Sequence, residues 1–319
     1  MTALNGRDQG EAVRAARQGH QLPVGSAKPR RTVIDGFSVA WYDSLRGNAE
    51  TQAEPVILIH GFCSMSYTWH EVFDHLAARR RVIAVDLKGF GASDKPADSN
   101  YLVDTQVGIV ADLTDALSLE RMALVGNSLG GAVALRIAQR WPQRVTRLVL
   151  ACPAVWPVDR FPLLARLVVL ANRRISERFS ARVIGRLARI PGLIENRIRH
   201  AHYRAATVTP ERVAAYSAML NESDCQRAIA ATLKTFDLRP VARHLSSVHQ
   251  PVLIVQGAFD KIIPPSSSEE LARALPHAEL KMLPCGHAPQ EELPAEFAQL
   301  VNVFLEPVQA TQQPAQAVR

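Results

Sequence analysis

Five short and almost wholly apolar runs punctuate the chain, at Val56 to Ile59, Val82 to Val85, Ala123 to Val125, Leu148 to Leu150 and Val252 to Val255. Runs this brief, with no polar residue at every second position, suit strands buried on both faces. Segments with helical spacing lie between them, Leu129 to Arg140 among these, and a late run, Ala278 to Leu283, precedes a final helix over Pro294 to Leu305. Strand alternating with helix predicts an α/β protein, a mostly parallel sheet flanked by helices. Upstream, Thr32 to Ile34 and Phe37 to Tyr42 flank Asp35-Gly36, whose residues tolerate the positive φ of a tight turn. A β-hairpin over Arg31 to Asp43 should therefore open the sheet.

The rhythm changes after Pro153. A helix-compatible, arginine-rich stretch, broken at Pro157, Pro162, Pro191 and Pro210, runs on to Asp237 as an insertion between two strands. The expected division is a core of residues 32–154 and 238–306, a helical insertion over 155–237, and flexible tails at 1–31 and 307–319. Within the insertion Phe179, Val183, Leu187 and Ile190 recur at helical spacing, and Arg178, Arg182, Arg186 and Arg189 keep the same rhythm one residue earlier. On a helix these make two adjacent stripes, one apolar and one cationic. The simpler expectation packs the apolar row on the core and leaves the arginines in water. Like charges at i,i+4 repel by roughly 0.2–0.5 kcal/mol per pair, however, so the alternative brings the arginine row to an anionic lipid surface or an acidic group on the substrate.

Composition narrows the function classes. A chain of 319 residues, 47% hydrophobic and 21% charged, lies in the soluble globular range, and its few aromatics argue against a base-stacking nucleic-acid binder. Cys63, Cys152, Cys225 and Cys285 form no Cys-x-x-Cys pair, so neither a zinc knuckle nor a disulfide framework is indicated and a reducing, cytoplasmic setting fits. His70, His75, His200, His202, His244, His249 and His277 are not spaced as a metal set and are expected on solvated faces. The first 31 residues lack the apolar run of about 7–15 residues that a secretory signal needs. The longest apolar stretch, Phe161 to Ala171, is interrupted by Arg166 and falls short of the roughly 20 residues of a membrane span. Net charge is +7, and its origin is local: Trp156 to Arg212 holds twelve arginines, no lysine and four acids, which is the whole excess.

The chemistry centres on Gly126-Asn127-Ser128-Leu129-Gly130-Gly131, set between the apolar strand Met122 to Val125 and a helix. That context is what a nucleophile elbow demands, a serine in a strained turn with small neighbours that let strand and helix approach. His60-Gly61-Phe62 follows another strand, and the backbone N–H groups of Phe62 and Leu129 can point at a developing oxyanion. The glycines of Asp86 to Asp94 suit a sharp architectural loop beside the site. Asp260 and His287 each follow a later strand, and a serine hydroxyl needs an imidazole to take its proton and a carboxylate to fix the tautomer. All three would sit at the carboxyl ends of parallel strands, where open α/β sheets place their sites. Trp69 and Trp156 are candidates for lining the pocket, and Asp224 and Asp237 are weaker candidates for the acid.

With these motifs in the order Ser, Asp, His, the chain from Arg31 to Glu306 resembles the α/β-hydrolase family, in particular its capped members. The resemblance implies a triad of Ser128, Asp260 and His287, an oxyanion hole from Phe62 and Leu129, a helical cap over Val155 to Asp237, and no metal or organic cofactor. Serine at the elbow argues against epoxide hydrolases and haloalkane dehalogenases, which attack with a carboxylate. A carboxylic ester hydrolase acting on a small, apolar ester is the first expectation. The alternatives are a carbon–carbon bond hydrolase of the meta-cleavage type, which Gly126-Asn127-Ser128 resembles although such enzymes tend to carry tryptophan where Ala288 stands, a serine acyltransferase or perhydrolase, and a silent binding protein. Intact triad residues rank the last lowest, and the sequence is silent on oligomeric state.

Overall fold

The computed structural model describes residues 22–45, 53–160 and 163–306. Its strands are β1 (Pro29–Ile34), β2 (Phe37–Asp43), β3 (Val56–Ile59), β4 (Val82–Val85), β5 (Met122–Asn127), β6 (Val145–Ala151), β7 (Val252–Gly257) and β8 (Ala278–Leu283). They form one sheet in the order β1-β2-β4-β3-β5-β6-β7-β8. The hairpin β1/β2 turns at Asp35 and Gly36 with φ of 49° and 81°, and β2 joins the sheet antiparallel to β4. From β4 to β8 every pairing is parallel, so the carboxyl ends of β3, β5, β7 and β8 share one edge.

Helices cover both faces. They are α1 (His70–Ala77), α2 (Val103–Ala116), α3 (Leu129–Arg140), then α4 (Leu163–Arg174), α5 (Glu177–Ala188), α6 (Leu193–Ala201), α7 (Pro210–Leu220), α8 (Ser223–Thr235) and α9 (Arg239–Ala242) between β6 and β7, and finally α10 (Pro265–Ala274), α11 (Pro289–Glu292) and α12 (Pro294–Leu305). The pleat divides β3 between two apolar layers. Ile57 and Ile59 meet Val107, Val110 and Leu135 from α2 and α3, whereas Val56 and Leu58 meet Val72, Phe73 and Phe297 from α1 and α12. Among the described residues no helix is long and apolar enough to cross a membrane.

Two expectations need correction. Residues 22–31 fall within the expected flexible tail, yet Leu22, Val24 and Ala27 are buried, Ser26 bonds Asp74 of α1, and β1 already begins at Pro29. Three apolar side chains at short intervals are enough to seat this segment; residues 1–21 and 307–319 lie outside the described residues. The second concerns α5, whose apolar row packs inward only in part: Val183 is half-buried, but Phe179 and Leu187 are exposed, as is Ile190 just past the helix. The fully buried residues of α5 are Ser180, Ala181 and Gly185, with Ile184 and Ala188 partly buried against the core, and at Gly185 the helix comes too close to α8 for a side chain. A Cβ at Gly185 would come within 2.3 Å of Gln226 Oε1 on α8.

Candidate active site

The chain leaves β5 at Asn127 and enters α3 at Leu129 through Ser128, whose φ of 53° and ψ of −117° are costly for a residue with a Cβ. Hydrogen bonds hold the strain in place: Ser128 N donates to Ala151 O on β6 at 2.9 Å, and Ser128 O accepts from Ala154 N at 3.0 Å. Gly130 permits the close approach the elbow requires, since a Cβ there would lie 2.1 Å from Ile59 O on β3. Ser128 is half-buried at the carboxyl end of the sheet and the amino end of α3, where the helix macrodipole favours negative charge.

The loop after β3 packs on this turn through Gly61, which lies against Ser128 and Asn127. Among the described residues the N–H groups of Phe62 and Leu129, the expected oxyanion donors, have no acceptor. His60 is wholly buried, accepts Leu87 N at Nε2 (3.0 Å) and faces Gly61 O through Nδ1 (2.8 Å), which fixes the tautomer with the proton on Nδ1. Burial pushes its pKa down, so it is a neutral tie between two loops. Asp86 performs the architectural role expected of its loop, accepting Ser66 N and Ala92 N.

Asp260 and His287 are brought together. Asp260 Oδ2 lies 2.8 Å from His287 Nδ1, and Oδ1 accepts Ile262 N and Ile263 N at 2.7 and 3.0 Å. Burial raises the pKa of this carboxyl, but the imidazole and the two backbone donors outweigh it and hold the group below the usual carboxylate range. With Nδ1 donating to Asp260, His287 Nε2 remains as the acceptor. Ser128 Oγ and His287 Nε2 make no hydrogen bond, a contact that in such sites often tightens only when substrate is bound.

Residues that the sequence did not mark position the histidine. Asn127 Nδ2 donates to His287 O at 3.2 Å, which ties the histidine loop to the elbow; the only signal was its place inside the Gly-Asn-Ser motif. His287 N donates to Ala201 O at the end of α6 at 2.7 Å. Glu292 accepts Gly286 N at 2.7 Å through one oxygen and Tyr203 N and Arg204 N, both at 2.8 Å, through the other. Tyr203 stacks on Phe259, next to Asp260, with centroids 3.8 Å apart. Beneath them Glu291 is buried between Tyr216 Oη (2.7 Å), His202 Nε2 (3.0 Å) and Arg212 Nε (3.1 Å). His202 thus departs from the expectation of a solvated face. The network joins positions some 75 to 89 residues apart, a separation no local pattern reveals.

The remaining candidates separate. Trp69, expected as a lining candidate, is fully buried in the layer beneath the sheet against Phe297, since it faces α12 and not the site. Trp156 is half-buried, donates Nε1 to Ser267 O, and walls a small cleft with Pro153, Ile262 and Ile263 beside Asp260. Asp237 is engaged by Arg239 and Asp224 by Arg227, so neither is paired with His287. Cys152, Asp260 and His287 bring ligand atoms within 4.8 Å of one another, but burial and the nearby Asp260 hold the Cys152 thiol protonated and Asp260 is already spent on His287 and two amides. This donor set fits a hydrogen-bond network, not a metal centre.

Residues 54–294 match the family model described as alpha/beta hydrolase fold. The chain is 33% identical to 2-hydroxymuconate semialdehyde hydrolase of Pseudomonas sp. (strain CF600), over 79% of this chain and 86% of that one. It is 32% identical to 2-hydroxy-6-oxo-2,4-heptadienoate hydrolase of Pseudomonas putida, over 86% and 95%. Among solved structures it is similar to a thermophilic esterase from Thermogutta terrifontis, with a TM-score of 0.70 and 27% identity over 88% of this chain and 98% of the other.

Proposed function

The chain belongs to the α/β-hydrolase fold family, and from that premise we propose that it is a serine hydrolase cleaving the carbon–carbon bond beside a ketone in ring-fission products of the 2-hydroxydienoate class. The observation that carries the choice of bond is its identity of 33% and 32% to two hydrolases named for such substrates, each aligned over most of both chains.

His287 Nε2 takes the proton of Ser128 Oγ as the oxygen adds to the ketone carbon, while Asp260 holds the imidazole in the required tautomer. The N–H groups of Phe62 and Leu129 receive the oxyanion, preorganised at the amino end of α3. The substrate first ketonises, its 2-hydroxyl proton moving to the carbon beside the ketone; collapse of the tetrahedral intermediate then breaks the carbon–carbon bond with its electron pair delocalised into the unsaturated 2-oxo acid as a dienolate, and His287 returns the proton to that fragment. Water, activated by His287, then hydrolyses the acyl-serine to a carboxylic acid. A carbon leaving group needs this delocalisation, which is why the conjugated acid is part of the substrate class. The helices between β6 and β7 serve as the cap over the pocket.

Ester hydrolysis by the same residues is the second reading, the first expected from sequence. Ala288, small and buried directly after the base, favours it, since ring-fission hydrolases tend to carry tryptophan there, and the esterase likeness agrees. Purified protein given a 6-oxo-2-hydroxydienoate, followed by loss of its visible absorbance, and in parallel a series of p-nitrophenyl esters, separates the two. We expect kcat/KM for the dienoate to exceed that for every ester by about a hundredfold or more, roughly 2.7 kcal/mol of transition-state preference. Ester turnover without dienoate turnover would overturn the carbon–carbon reading.

A further inference from the structure

We propose that the outward faces of α4 and α5 form a docking surface for an anionic lipid bilayer. On α4 the inward residues are Val169 and Asn172, and Asn172 Nδ2 donates to Ala230 O of α8 at 2.8 Å. The opposite face carries Leu163, Leu164 and Leu167 at 68%, 71% and 53% exposure, with Val168 and Leu170 also exposed. A twelve-residue helix with five large aliphatic side chains turned to solvent is reversed from the usual pattern of a surface helix, and a contiguous apolar face of this kind marks an interaction site. The next helix, two residues on, repeats the arrangement: α5 turns its small residues to α8 and shows Phe179 and Leu187 outward.

The charge beside these residues identifies the occupant. Arg166 and Arg174 on α4 and Arg178, Arg182 and Arg186 on α5 are exposed and form no ion pair among the described residues. The nearest acid on their own helices, Glu177, accepts a hydrogen bond from Ser99 at the start of α5. Apolar side chains flanked by unneutralised arginines match the depth profile of a bilayer interface, with aliphatic groups among the acyl chains and guanidinium groups at anionic headgroups. A second copy of the chain fits less well, because a two-fold contact through this face would set one arginine row against another. The arginines supply long-range attraction that salt screens, and the leucines supply the contact.

Cosedimentation with vesicles of phosphatidylcholine alone, or with about a third phosphatidylglycerol, tests the proposal on the full chain. Wild type should pellet with the anionic vesicles, release on raising salt, and stay in the supernatant with the neutral ones. Leu164→Ser plus Leu167→Ser, and separately Arg182→Glu plus Arg186→Glu, should each weaken binding about tenfold or more, since one basic residue near such a surface contributes roughly fivefold and two are reversed, while the leucine pair removes apolar contact from the membrane. Both double variants alter exposed side chains and should melt as wild type does, by circular dichroism. Wild type that ignores anionic vesicles at low salt, or binds neutral ones equally well, would overturn the proposal. Sedimentation equilibrium showing a dimer that the leucine variant abolishes, with no vesicle binding, would overturn it in favour of a second copy.

Discussion

Asp260 is ionised wherever the protein is folded near neutrality, because His287 and the amides of Ile262 and Ile263 together outweigh its burial. An ionised carboxylate can only accept, so His287 is obliged to present its proton at Nδ1 and its lone pair at Nε2. Asn in place of Asp260 offers an amide that can donate to Nδ1 and reverse the tautomer. We therefore expect Asp260→Asn to lower kcat by about 10⁴ with little change in KM, read by steady-state kinetics on the better substrate of the dienoate and ester series. Activity equal to wild type would move the acid elsewhere. Ser128→Ala removes the atom proposed to form the acyl bond, and its loss should be as large or larger, while relief of the 53° φ strain is no part of the change, since alanine carries the same Cβ. Retention of a tenth of wild-type turnover in purified Ser128→Ala would exclude Ser128 as the nucleophile.

At the scale of elements, the histidine loop is held from two sides. One is the sheet, through Asn127, and the other is the segment after α6, through Ala201 O and the Glu292 carboxylate. Contact is so close that a Cβ at Gly286 would lie 2.3 Å from Ala201 O. Glu292→Gln turns an acceptor toward Gly286 N or toward Tyr203 N and Arg204 N into a donor. A mispaired buried donor of this kind costs about 1–3 kcal/mol, and we expect both a lower melting temperature and faster amide exchange over residues 284–288. Unchanged exchange there would mean that the loop does not depend on the inserted helices. The strands, the elbow and the pairing of Asp260 with His287 were legible in sequence because each follows a local apolar run and the sheet brings such strand ends to one edge. The role of Glu292 was not, since two backbone amides nearly ninety residues away leave no pattern. Nor was the packing of α5 legible: periodicity located its faces but not the close neighbour that demanded Ser180, Ala181 and Gly185 on the inner one.

At the scale of the whole molecule a buried ionic cluster ties the inserted helices to the core: Glu291 from the core against His202 and Arg212 from the insertion, with Arg212 also bonded to Glu71 of α1 and Tyr216 to Glu291. Burial alone would raise the Glu291 pKa, but Arg212 and His202 bring it down to about 2. Burial would lower that of His202, and Glu291 raises it above 6.5 instead. The depressed carboxyl contributes stability that is complete above its unfolded value of 4.5 and is lost as pH falls toward 2. The raised imidazole contributes stability that is complete below 6.5 and is lost as pH rises through its folded value. The cluster therefore holds the insertion most firmly between pH 4.5 and 6.5. Removing the imidazole charge with His202→Gln should lower the melting temperature most inside that window, and the difference from wild type should shrink as pH rises from 6.5 to 8.5, each kcal/mol being worth about 2 °C for a domain of this size. A difference that stays constant from pH 5 to pH 8.5 would mean that His202 is held neutral, and that Arg212 alone answers the buried charge of Glu291.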